Sequence, residues 1–228
     1  MLNEIIKEIF SAQMLSLVWQ GLLETLYMSL ISTAVAYVIG LPVGMLLVVT
    51  DKDGVKPNPA VNTTVGSIVN FFRSVPFLIL MVAVMPLSRL IVGTTIGAKA
   101  TIVSLVIASA PYVARMVESS AKEVDRGVIE ASLSMGASTM QIVRKVILPE
   151  AKPSLIYGAA ISSTTILGYT AMAGAVGGGG LGAIAINYGY HRKETVIMWL
   201  MVFILVLIVQ VFQMIGSFLA KKNDKRIR

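Results

Sequence analysis

The chain has 228 residues, 56% of them hydrophobic and 14% charged, with a mean hydropathy of +0.80, whereas soluble domains carry about a quarter charged residues. That composition specifies an integral membrane protein; its formal charge of +7 reads as basic residues gathered at the ends of apolar runs, as membrane orientation requires, and nucleic acid is discounted as a partner. The absence of cysteine excludes disulfides, thiolate catalysis and sulfur-ligated metal.

Residues 1–20 alternate charge with Ile5, Ile6, Ile9 and Phe10, a helical spacing expected of an amphipathic lead-in at the interface. Glu4 and Glu8 interrupt it and no small-residue cleavage site follows, so no cleavable signal peptide is expected. Leu26 to Val49 is 24 residues without a charge, enough to cross a hydrocarbon core of roughly 30 Å. Within this first span Gly40 and Gly44 form a small-xxx-small pair for close helix approach, and Pro42 marks a kink. A polar loop, Asp51 to Pro59, leads to a second span expected from about Asn70 to Ser88. Arg73 sits near its cytoplasmic end, where its head can snorkel; it reads equally as an interfacial anchor or as part of conformational coupling. The third span is expected from about Ala98 to Val117, with Pro111 as a kink and Lys99 and Arg115 marking its ends.

Residues 118–152 are the long polar interruption. Ile129 and Leu133 lie one turn apart, Gly136 suits a left-handed C-terminal cap, and Ser138 or Thr139 can cap a second short helix carrying Met140, Val143 and Ile147. Pro149 is expected to force the preceding residue out of that helix. Two short helices around a glycine corner make a compact knob. An amphipathic hairpin on the lipid surface should be strongly basic, but residues 115–152 hold six basic against five acidic residues. A near-neutral knob suits a protein groove better.

After the knob, Pro153 to Tyr190 runs 38 residues without a charge, more than one span needs. The fourth helix is expected at about Leu155 to Ala175, with Ser162, Thr165, Tyr169 and Met172 near one face at spacings of three, four and three. These are candidate pathway-lining residues, with a packing role equally open. The glycine-rich remainder, AVGGGGLGAIAINYGY, is expected to be a loop or partial re-entrant segment packed on protein. His191, Arg192 and Lys193 mark a bank, and Thr195 to Ala220 is a 26-residue uncharged fifth helix. The fold class is therefore an all-α integral membrane protein of five transmembrane helices, with the polar loop between the third and fourth, and 1–228 forms one transmembrane domain. With that loop inside, the inner side holds twelve basic residues against five outside, so the N-terminus is expected outside and the C-terminus in the cytoplasm.

Several tempting motifs carry no chemistry. Gly177, Gly179 and Gly182 match GxGxxG, but no strand precedes them and no acidic residue follows at a dinucleotide site's distance. No Walker lysine is present to hold ATP. His191 is the sole histidine and lacks metal-ligand partners at useful spacing, and the acids between Glu118 and Glu130 read as a solvated loop. No catalytic residue, cofactor or metal is expected.

Glu130, Ala131, Ser132, Gly136, Val146, Leu148 and Pro149 stand in the order and spacing of the loop by which ABC importer permeases dock on their ATPase, and the likeness extends from about Leu26 to Ala220. Ser132 replaces a usual second alanine, and Val146 a usual isoleucine. Phe72 to Leu80, Gly168 to Gly182 and Tyr188 to Tyr190 are similar to the permeases of methionine importers within that family. The resemblance implies a bacterial inner-membrane location, a second copy of the chain, two cytoplasmic ATPase subunits, an external substrate-binding lipoprotein and lipid around the whole. A passive channel or ion-coupled carrier is the competing class, but a carrier should show an internal repeat and a charged coupling site near the midplane, and neither is found. Another cargo, a phosphonate or a different amino acid, stays open.

Overall fold

A computed structural model describes residues 12–224. The lead-in up to residue 11, and Lys225, Arg226 and Arg228 of the tail, lie outside the described residues. The described residues are helical, with no strand among them: α1 (Ala12–Thr50), α2 (Pro59–Ser74), α3 (Phe77–Val92), α4 (Ala98–Lys122), α5 (Arg126–Ser134), α6 (Thr139–Ile142), a π turn (Val143–Ile147), α7 (Leu148–Ala173), a 3-10 turn (Gly174–Val176), α8 (Gly180–Ile184), a second π turn (Ala185–His191) and α9 (Thr195–Asn223). Among the described residues, four helical stretches are long and apolar enough to cross a membrane, or five if α2 and α3 count together as one broken span.

The expected boundaries shift in four places, each for a local reason. The first span begins by Ala12 and carries Glu24 inside it, because that carboxylate has a partner within the fold. The second is not one helix: α2 starts at Pro59, capped by the Asn58 side chain on the Val61 amide, and ends at Ser74. Val75 is extended (φ −81°, ψ 125°) because Pro76 follows it. Pro149 does not interrupt the chain, which stays helical from Thr139 to Val176. In the π turn before it, the Leu148 amide reaches five residues back to the Val143 carbonyl, so the four-residue ladder that a proline would break is already displaced. Finally, much of the glycine-rich segment is helical, from Gly180 through His191.

The chain divides into two compact units, Met1–Ser32 with Phe77–Val106 and Ser163–Val211, and Thr33–Pro76 with Ile107–Ser162 and Phe212–Arg228. In the second unit a core forms around Ala36, Met45, Val48, Val113, Val117, Ile142 and Ile147. Its close approach depends on the glycine pair: a Cβ on Gly44 would lie 2.5 Å from the Ala114 carbonyl oxygen, and one on Gly40 would lie 2.7 Å from Val113 Cγ1. In the first unit Thr25, Met28, Leu105, Ile166, Leu181 and Met201 are fully buried. α9 leaves Trp199, Phe203 and Phe218 about two-thirds exposed, the surface a lipid-facing helix presents.

Candidate docking loop and pathway helix

The knob lies wholly in the second unit. Asp125 caps α5 through the Gly127 amide at 2.7 Å. α5 then closes on Gly136, whose φ is +77°. There the Ala137 amide donates to the Ser132 carbonyl at 3.1 Å and the Gly136 amide to Leu133 at 2.9 Å, the paired bonds of a Schellman cap. Ser138 starts α6 with a reciprocal box: its hydroxyl accepts from the Gln141 amide, and the Gln141 side chain accepts from the Ser138 amide. These end groups of both short helices are satisfied without tertiary help, so the corner is dictated locally.

What attaches the knob is apolar. Ile142 and Ile147 are fully buried in the core, with Ile129, Val146 and Leu148 packed against it; a buried isoleucine contributes about 1.5–3 kcal/mol. The seven sequence-selected docking residues therefore separate into two groups. Ser132 is buried, with its hydroxyl donating to the Val128 carbonyl, and Val146 and Leu148 face inward. Glu130, Ala131, Gly136 and Pro149 are exposed. The most exposed apolar groups on the knob are Met135 at 80% and Met140 at 59%; the sequence reading passes over Met135, and the helical spacing that groups Met140 with Val143 and Ile147 does not carry Met140 into the core.

Charged groups brace the knob's base. Lys122 donates to Asp51 at 2.6 Å and to Glu118 at 2.9 Å. Arg115 pairs with Glu118 and also donates to the Gly66 carbonyl and the Asn70 side chain. Arg126, the first residue of α5, pairs with Asp53 at 3.2 Å. The hydrogen bond from Lys122 holds the Asp51 carboxyl below the ordinary aspartate range, against the smaller opposing effect of burial. A groove of about 270 Å³ runs beside α5, lined by Asp53, Val55, Arg126, Ile129, Glu130 and Leu133.

On α7 the four candidate lining residues have different surroundings. Ser162 is fully buried in the second unit, donating to the Gly158 carbonyl at 2.8 Å with the Tyr37 hydroxyl 3.5 Å away. In the first unit Thr165 is half-buried, Met172 is 50% exposed, and the Tyr169 ring stacks on Phe77 with centroids 4.5 Å apart and planes 4° apart. No cluster of three or more metal-ligating side chains occurs among the described residues.

A helical membrane chain with a capped, core-anchored polar knob has the make-up of a transport permease. Residues 36–228 match the binding-protein-dependent transport system inner membrane components, and the chain belongs to that family. It is 48% identical to the probable D-methionine transport system permease protein MetI of Vibrio cholerae over 213 residues, 93% of each chain. It is 43% identical to the methionine import system permease protein MetP of Bacillus subtilis over 208 residues, 91% of this chain and 94% of that one. Among solved structures, a chain of the MetNI methionine ABC transporter in inward-facing conformations superposes with a TM-score of 0.93 at 46% identity, covering 95% of this chain and all of that one.

Proposed function

We propose that this chain is the membrane-spanning subunit of an ATP-driven methionine importer. The observation that carries the reading is its 48% identity, over 93% of both chains, to a permease named for D-methionine transport. The broken pair α2 and α3 counts as one span, so that the whole chain forms a single five-span permease domain. α5 and α6 are the docking element for a separate cytoplasmic ATPase, with Glu130, Ala131 and Gly136 on its surface and Ser132, Val146 and Leu148 fixing it from beneath. Two copies of the chain, two ATPase subunits and an external substrate-binding lipoprotein make up the complex. The excess of basic residues on the knob's side puts the N-terminus outside and the C-terminus inside. Thr165, Tyr169 and Met172 line the pathway, while the buried Ser162 holds α7 in place.

Cells unable to make methionine and lacking other uptake systems test this directly. They should grow on low external methionine when the chain, its ATPase and its binding protein are all present, and stop when any one is removed. Growth without the ATPase would favour a passive channel, and rescue by a phosphonate in place of methionine would overturn the cargo.

A further inference from the structure

α8 begins without a cap of its own. Its N-cap position is Gly179, which has no side chain to accept a hydrogen bond, and the first amides of a helix have no acceptors within the helix itself. Two side chains of α1, 156 residues away in sequence, supply them. The Gly180 amide donates to Glu24 Oε2 at 2.7 Å, and the Leu181 amide donates to Thr25 Oγ1 at 2.9 Å. Thr25 is 1% exposed, and its own proton is committed to the Gly21 carbonyl at 2.8 Å, which turns a lone pair toward Leu181. Shape matches chemistry along the same stripe of α1. A Cβ on Gly21 would meet Ile184 Cδ1 at 2.5 Å, one on Gly179 would meet Glu24 Oε2 at 2.7 Å, and one on Gly180 would meet Thr25 Oγ1 at 2.6 Å.

The turn that these contacts hold is conformationally unusual. Gly177, Gly179 and Gly180 have φ of +82°, +86° and +73°, a region that glycine enters at little steric cost. Such a turn has many alternative conformations and little intrinsic stiffness, so its position depends on what ties it down. Besides α1, it is tied by the Gly97 amide to the Gly177 carbonyl at 2.8 Å and by the Thr101 hydroxyl to the Gly178 carbonyl at 3.3 Å. Glu24 is the one charged group in these ties, and its side chain remains accessible. A charged acceptor makes a stronger bond to an amide than a neutral one does. An exposed carboxylate can also exchange that bond for water without leaving a buried charge.

We propose that Glu24 and Thr25 form a releasable latch on the glycine-rich turn at 177–180, and act as positioning residues for transport by fixing the helix from Gly180 to His191. The role in transport rests on the importer reading above; the latch itself does not. Glu24→Leu and Thr25→Val remove the acceptors at nearly constant size, whereas Glu24→Gln and Thr25→Ser keep an oxygen in place. The chain has no cysteine, so Met28→Cys, fully buried beside Gly180 and outside these ties, introduces a single thiol as reporter.

In the assembled complex carrying Met28→Cys, Glu24→Leu and Thr25→Val should each raise the rate at which a small reagent modifies the reporter thiol at least fivefold. They should also lower methionine imported per ATP hydrolysed, while Glu24→Gln and Thr25→Ser stay within about twofold of the parent in both measurements. Thr25→Val deletes a single hydroxyl and decides the question if Glu24→Leu does not assemble. Parent-like modification in Thr25→Val would overturn the latch, as would Glu24→Gln proving as labile as Glu24→Leu. If the parent complex imports no methionine, the cargo reading fails and the modification rates still decide the latch.

Discussion

Gly136 isolates the contribution of backbone conformation to the knob. Its φ is +77° and no heavy atom lies within 4 Å of where a Cβ would sit, so a substitution there meets no clash and its cost is conformational alone. A left-handed residue costs roughly 1–2 kcal/mol for an L side chain, with asparagine cheaper because it visits that region more readily. A β-branched side chain costs more. A penalty of about 1–2 kcal/mol changes the population of the corner by a factor of roughly 5–30, and loss of the corner releases the Gly136 and Ala137 amides from Leu133 and Ser132. α5 and α6 then lose their mutual angle while Ile142 and Ile147 stay buried, so the protein should still insert and purify. In reconstituted complexes, methionine imported per ATP hydrolysed should fall in the order Gly136→Asn, Gly136→Ala, Gly136→Val, with Asn close to the parent. Equal transport by the Val and parent proteins, or an Asn variant as impaired as Val, would refute the reasoning.

Other expectations follow from single features of the structure. A cysteine at Ser138 should react with an impermeant thiol reagent only from the cytoplasmic side and one at Asn187 only from outside; the reverse pattern would invert the topology. Gly44→Val should lower the melting temperature of the detergent-solubilised protein, because its Cβ is driven against the Ala114 carbonyl and Val117 and overpacking of this kind costs about 1–3 kcal/mol; an unchanged melting temperature would contradict the close approach. For Asp51, whose folded pKa is depressed by Lys122, the stabilisation is present above the unfolded value of about 3.9 and is lost as pH falls through the lower folded value. The melting temperature of Asp51→Asn should therefore trail the parent by a constant margin from pH 7 to about 5, and the margin should shrink progressively as pH falls below about 4; a margin that does not shrink at all in acid would point to packing in place of the ion pair.

Much of the helical plan was legible because membrane solvent leaves little choice. Charge-free runs must satisfy their backbones internally, and the helices Ala98–Lys122 and Thr195–Asn223 fall within a few residues of the positions that the sequence predicts for a third and a fifth span. What was not legible came from partners distant in sequence. Glu24 looks like the end of a span until the Gly180 amide is found beside it, and the glycines after Val176 look unhelical until Thr25 caps Leu181. Pro149 misled for a local reason, since a π turn leaves no mark that a four-residue ladder rule can detect. At the knob, Gly136, Ser138 and Gln141 announce the corner through cap chemistry alone. Which faces are exposed depends on a core assembled from α1, α4 and the π turn, so the exposure of Met135 and Met140 emerged only with packing.

The charged groups beneath the knob give that packing a direction. Lys122 at the end of α4 joins Asp51, just past α1, to Glu118, and Glu118 joins Arg115, which reaches the Gly66 carbonyl and Asn70 on α2. Glu118 is only 8% exposed, so its carboxylate must be compensated where it stands, and it has two cations beside it. Removing either cation leaves a largely buried charge underpaired, which costs more than the pair contributes when intact. Arg126 extends the same logic into the knob through Asp53, but that pair is exposed and is worth little to stability. The Glu118 cluster therefore fixes α1, α2 and α4 to one another as a stiff base, while the apolar anchors Ile129, Ile142 and Ile147 carry the knob. The apolar anchors and the charged cluster both lie within a single unit of the chain.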